Sequence, residues 1–151
     1  MKKIICIAFI SVFYSLIVNA EQPIEKFAKG QFVFPEHGLT LNVEIAKNTK
    51  QRALGLMFRE QLAANNGMFF IFDDEAVQRI WMKNTLIPLD IIFISAENRI
   101  VSIFKNIQPC RQNPCAIYNS KQRVKYMLEV NAGFVEDKNI DVVEKVRFSL
   151  F

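Results

Sequence analysis

Two carboxylates stand where a carboxylate is costly. Asp90 precedes the run Ile91-Ile92-Phe93-Ile94, and Glu129 lies within Tyr126-Met127-Leu128-Glu129-Val130. An ionised acid in apolar surroundings needs a partner, and Arg52, Arg59 and Lys83 are the cations available to supply one. The bland expectation is a pair of structural ion pairs, which perturb acids without catalysing anything. The sharper one is a hydrolase in which Asp90 and Glu129 share a cleft and divide the general acid and general base roles. Other catalytic sets are not supported. His37 is the only histidine and sits in the turn-forming run Pro35-Glu36-His37-Gly38, so no Ser-His-Asp or Cys-His set can be built around it. Phosphate loops and dinucleotide fingerprints are absent.

The most unusual stretch is Trp81-Met82-Lys83-Asn84-Thr85-Leu86-Ile87-Pro88-Leu89-Asp90, which holds the only tryptophan. Pro88 imposes extended geometry on its predecessor. In an extended chain alternate side chains share a face, so Trp81, Lys83 and Thr85 are expected on one side and Met82 and Asn84 on the other. Such a segment can line a pocket. It can equally be a turn in which Asn84 and Thr85 bond neighbouring backbone, Trp81 packs, and Asp90 opens a strand. Met57, Met68, Met82 and Met127 lie far apart among Leu, Phe and Ile. Gap-filling in a core suits them better than a Cu(I) site.

Cys110 and Cys115 bracket Arg111-Gln112-Asn113-Pro114. A closely spaced even pair outside the cytoplasm reads as a disulfide that pins a loop. A redox pair would carry the Cys-x-x-Cys spacing, and zinc would need further Cys or His ligands. Neither a metal nor a cofactor is called for.

The elements that must hold these residues begin with an address. Met1-Lys2-Lys3 leads into an apolar run from Ile4 to Val18, closed by Val18-Asn19-Ala20. That order of basic, apolar and small residues predicts a signal peptide cleaved after Ala20. The run is shorter than a membrane-spanning helix requires and is interrupted by Ser11 and Ser15. No stable membrane anchor is therefore expected after cleavage, and the product is periplasmic or secreted. Losing Lys2 and Lys3 takes the 19 basic residues to 17 against 15 acidic ones, so the formal charge falls from +4 to +2. Lys and Arg are scattered among acids rather than gathered in a stripe with aromatics, which argues against a nucleic-acid partner.

Residues 21–30 lack periodicity and are expected to form a mobile leader, with a single domain over 31–151. Leu39 to Ile45 alternates strictly, as a half-buried strand does, and Gln31 to Phe34 is its hairpin partner across the Pro35–Gly38 turn. Asn48 or Thr49 caps a short helix from Lys50 to about Leu56, with Gly55 near its end. Further strands are expected at Gly67–Phe72, Val77–Met82, Asp90–Ile94, Ile100–Ile107, Tyr126–Asn131 and Val143–Phe148. Many short strands and one short helix predict a mainly β fold, a small antiparallel sandwich or barrel. The long irregular segment from Gln108 to Gln122 contains the cysteines.

Three blocks resemble a known family, domain of unknown function 192. They are Arg52-Ala-Leu-Gly55-Leu56-Met57-Phe-Arg59, Gly67-Met68-Phe-Phe-Ile-Phe72, and Trp81 through Asp90 into Ile-Ile-Phe-Ile. The likeness continues through Ile100-Val101, Pro109-Cys110, Cys115, Tyr118 and Leu128-Glu129-Val-Asn-Ala-Gly133. It implies a jelly-roll-like β-sandwich and brings no activity with it. The chain departs from the pattern where Asn139-Ile140-Asp141 replaces a Gly-Asp turn before the last strand. Polar residues gather in these blocks, so Arg52, Trp81, Lys83, Asn84, Asp90 and Glu129 are expected around a shallow pocket for a small polar ligand. The leading expectation is a noncatalytic binding module. The hydrolase is one alternative, and an envelope assembly partner with an exposed apolar patch is the other.

Overall fold

The computed structural model describes residues 26–151. The expected signal peptide, with its cleavage after Ala20, lies outside the described residues. β1 (Ala28–Phe34) and β2 (Leu39–Ala46) form the expected hairpin, with Phe32 opposite Leu41 and Phe34 opposite Leu39. The turn between them is a single 3-10 turn, Pro35–His37, closed by Gly38 at φ 59°. The hairpin begins earlier than its alternation suggests, because Ala28 to Gly30 already pair with Ile45 to Val43. Residues 28–30 thus belong to β1 rather than to the expected mobile leader. Strand pairing, rather than apolar periodicity, holds those three residues.

α1 (Thr49–Leu54) is capped by Asn48, whose Oδ1 accepts a 2.9 Å hydrogen bond from the Gln51 amide. Gln51 returns its side-chain oxygen to the Asn48 and Lys47 amides and donates Nε2 to the Lys26 carbonyl. This reciprocal capping box satisfies the orphan donors of a helix too short to persist alone. The chain then enters β3 (Asn66–Trp81), which runs through both predicted strands, Gly67–Phe72 and Val77–Met82. Its partner β6 (Ile117–Asn131) is also longer than expected. A register shift between Ile71 and Ala76 absorbs Asp73-Asp74, so these acids bend the strand instead of ending it. The irregular segment accordingly shrinks to the residues before Ile117.

β4 (Leu89–Ile94), β5 (Ile100–Ile107), α2 (Phe134–Asp137) and β7 (Arg147–Leu150) complete the chain. The seven strands of the described residues form one sheet, ordered β5-β4-β6-β3-β2-β1-β7. The mainly β class is as expected, with one difference. β2 and β3 pair in parallel, because α1 and the following loop carry the chain back before β3 starts. The Ile100 amide bonds the Glu144 carbonyl and Arg99 bridges Lys145, which ties the β5 edge to the chain entering β7. The sheet therefore curls like a barrel without closing. The last turn forms despite the missing Gly-Asp, because Asn139 takes φ 54°, a conformation asparagine tolerates.

Side-chain alternation divides the interior in two. One face buries Phe32, Phe34, Phe69, Ile92, Leu128 and Val130. The other buries Met68, Phe70, Met82, Ile91, Phe93 and Met127. Met68, Met82 and Met127 are thus core residues of the second cluster, while Met57 lies at a pocket wall. At β4, six consecutive residues are buried, so this strand contributes to both faces.

Candidate functional site

The second face opens into a cavity of about 350 Å³ between α1 and the bent β3–β6 pair. Glu129 lies at its base. In β6 it stands opposite Met68 of β3 and Ile91 of β4, both fully buried, and Glu129 itself is 8% exposed. Among the described residues no side chain hydrogen-bonds or ion-pairs with it. Burial alone pushes its carboxyl from the ordinary 4.5 up to about 8. At neutral pH it is a carboxylic acid, which offers one donor and one acceptor to whatever enters the cavity. Thr85, also buried, lines the same space.

Apolar walls surround this acid. Phe70, Phe72, Leu56 and Met127 face the cavity, while Arg79 and Trp81 stand at its mouth. Arg79 and Trp81 are both solvent-exposed, two residues apart on one face at the end of β3, and pair with Asn119 and Ile117 of β6. Arg52 reaches the cavity from α1, but its guanidinium is committed. It donates to the Lys47 and Ile71 carbonyls at 2.8 and 3.0 Å and forms an ion pair with Asp73 at 2.5 Å. The helix is thereby fastened to the bend of β3 at the cavity wall.

The six expected pocket residues separate. Arg52, Trp81 and Glu129 line the cavity, and Lys83 stays beside it with its Nζ 5.1 Å from the Trp81 ring centroid. Asn84 does not enter. The extended alternation through Trp81–Thr85 breaks at Met82, where a turn closed by the Thr85 amide to the Met82 carbonyl sets in. Asn84 occupies the left-handed region at φ 56° and accepts the Phe58 amide on its carbonyl, which is the turn role rather than the pocket role. Met82 consequently packs in the core and Thr85 turns inward.

Asp90 belongs to the other face. It is fully buried, and its two carboxylate oxygens accept the backbone amides of Asn106 at 2.7 Å and Val135 at 2.9 Å. These bonds hold β5 and α2 against β4. The hydrolase pairing of Asp90 with Glu129 does not occur, because Asp90 is opposite Val130 and Glu129 is opposite Ile91. Among the described residues neither acid pairs with Arg52, Arg59 or Lys83, contrary to the structural ion-pair expectation. Arg59 instead binds Glu44 with two hydrogen bonds of 2.6 and 2.7 Å. His37 remains a turn residue, 2.9 Å from Glu144.

The disulfide joins Cys110 and Cys115, with Cα atoms 5.6 Å apart. The Cys110 amide donates to the Met82 carbonyl, so the pinned loop steadies the segment that follows Trp81. Among the described residues no cluster of His, Cys, Asp or Glu could hold a metal ion, and no helix is long and apolar enough to cross a membrane. Arg79, like Gln78, is a polar cavity residue that residue types alone did not single out. Carrying the alternation backward from Trp81 reaches it, since i and i+2 share a face.

A family model described as DUF192, an uncharacterized ACR, matches residues 32–148. Two solved structures are similar. One, from Sinorhizobium meliloti 1021 and named as a candidate transcription regulator, is 35% identical with a TM-score of 0.73, covering 82% of this chain and 96% of its own. The other, a protein of unknown function from Novosphingobium aromaticivorans DSM 12444, is 28% identical with a TM-score of 0.72, covering 83% and 89%. No curated protein matches the sequence.

Proposed function

The chain belongs to the DUF192 family, and from that premise we propose that it is a noncatalytic binding module for a small polar ligand, working in the periplasm or after secretion. Glu129 carries the reading. Its carboxyl group has no hydrogen-bond partner among the described side chains and lines the open cavity, so its donor and acceptor are left for whatever enters. Placed at the base of an open cavity with apolar walls and a few polar groups, it is the arrangement in which ligand sites are found. A ligand that hydrogen-bonds Glu129 engages that unused donor and acceptor. Catalysis has no comparable support, since the second acid it would need faces the opposite core.

Export rests on the leader pattern of the first twenty residues and on the Cys110–Cys115 bond, which suits an oxidising compartment. Cell fractionation with N-terminal sequencing tests it: a mature chain beginning at Glu21 supports export, and an intact Met1 in the cytoplasm refutes it.

The binding reading is tested by a thermal-shift screen of periplasmic metabolites against the wild type and Glu129→Leu. A ligand at a hundred times its Kd stabilises the native state by about 2.7 kcal/mol. Compounds that raise the wild-type Tm and leave Glu129→Leu unmoved support the reading. A screen in which nothing distinguishes the two proteins refutes it.

A further inference from the structure

The chemistry lining the Glu129 cavity also limits what it accepts, and this step rests on the binding reading. Three features bear on the choice. The base offers a carboxyl group with no cation beside it among the described residues, enclosed by Met68, Ile91 and Met127. The walls are apolar. Both charged side chains that reach the cavity besides Glu129 are arginines, Arg52 from α1 and Arg79 at the mouth. Arg52 is neutralised by Asp73, whereas Arg79 has no ion-pair partner among the described residues. Lys83, folded over Trp81, adds a further positive charge near the opening.

We propose that the cavity binds a compact amphiphilic anion: a carboxamide-like group, offering donor and acceptor side by side, seats on Glu129, an apolar body lies along Phe70 and Phe72, and a carboxylate or similar anion meets Arg79 at the mouth. A cationic ligand is disfavoured on the same grounds. An ammonium group must shed its water to reach the base, passes the arginines on the way, and meets a carboxyl group that holds its proton at neutral pH. A neutral amide avoids these penalties and engages both oxygens of the acid. The free Arg79 guanidinium gives the mouth a planar fork suited to a carboxylate.

Adipic acid monoamide is the direct probe, with hexanamide, hexanoate and 6-aminohexanoate as the matched set, each titrated calorimetrically into the purified protein at pH 7. The monoamide is expected to bind about tenfold more tightly than hexanoate or hexanamide. Arg79→Ala should remove its advantage over hexanamide and leave its advantage over hexanoate. Glu129→Leu should do the reverse, and Glu129→Gln, which keeps a donor and an acceptor, should restore most of the affinity. Hexanoate or 6-aminohexanoate binding as tightly as the monoamide overturns the proposed class, while Glu129-dependent binding of either leaves the pocket reading standing. If none of the four binds, the class is overturned, and the metabolite screen then decides the reading separately.

Discussion

Asp90 and Glu129 lie on neighbouring strands one step out of register, and that single step sends them to opposite faces of the sheet. Asp90 is opposite Val130 and shares its face, whereas Glu129 shares the face of Ile91. One acid is saturated by two backbone amides and the other has no protein partner among the described residues. Their mutational behaviour should differ accordingly.

Asp90→Ala leaves the amides of Asn106 and Val135 without their side-chain acceptor and unties β5 and α2 from β4. A loss of about 3 kcal/mol is expected from two charge-assisted bonds. Urea denaturation reads it directly, and ligand binding at the Glu129 cavity should survive at temperatures where the variant is folded.

Glu129 makes stability fall as pH rises. Its folded value, about 8, lies above the ordinary 4.5, so the native state holds a proton that the unfolded chain releases. The stabilisation is complete below about 4.5 and is lost as pH climbs to about 8, at up to roughly 1.4 kcal/mol per unit in between. Glu129→Gln should flatten this slope. A wild-type profile no steeper than that of Glu129→Gln between about pH 5 and 8, where the folded and unfolded states differ in bound protons, would contradict the assignment.

Glu44 acts with the opposite sign. The Arg59 guanidinium holds its carboxyl below the usual range, so the stability it adds is present above 4.5 and lost as pH falls through the lowered value. Because the pair is partly solvated, a double-mutant cycle with Glu44→Gln and Arg59→Ala should return about 1 kcal/mol of coupling.

Gly67 sits where β3 passes close to Glu129. A Cβ there would meet the Glu129 carbonyl oxygen at 2.9 Å and the Leu128 side chain at 3.1 Å. Gly67→Ala should therefore push β6 outward, cost about 1–3 kcal/mol, and weaken binding in the cavity by moving Glu129. Equilibrium unfolding measures the first effect and calorimetric titration the second.

The Cys110–Cys115 bond closes a short loop, so its removal in Cys110→Ser/Cys115→Ser should cost about 2 kcal/mol and leave the domain folded. Thermal unfolding with and without reductant provides the comparison. Unfolding of the whole domain on reduction would show that the bond does more than pin the loop.

Much of this protein was legible in its sequence because the relevant signals are local. The alternation from Leu39 to Ile45 marked a strand, Asn48 or Thr49 with Gly55 bounded a helix, and the short spacing of Cys110 and Cys115 matched a small closed loop. The family blocks singled out Arg52, Trp81 and Glu129, which do line one cavity. Tertiary structure decided the rest. Whether Asp90 and Glu129 could meet depended on the pairing of β4 with β6, and a shift of one residue reverses the face of every side chain on a strand. Asp73-Asp74 separate the two strands expected at Gly67–Phe72 and Val77–Met82, but β6 pairs across the bulge and carries β3 onward to Trp81. The parallel β2–β3 contact and the cation that each acid did or did not find were likewise set by partners distant in the chain. Spacing along a sequence specifies which residues share a face of one element, and only the pairing between elements determines which faces meet.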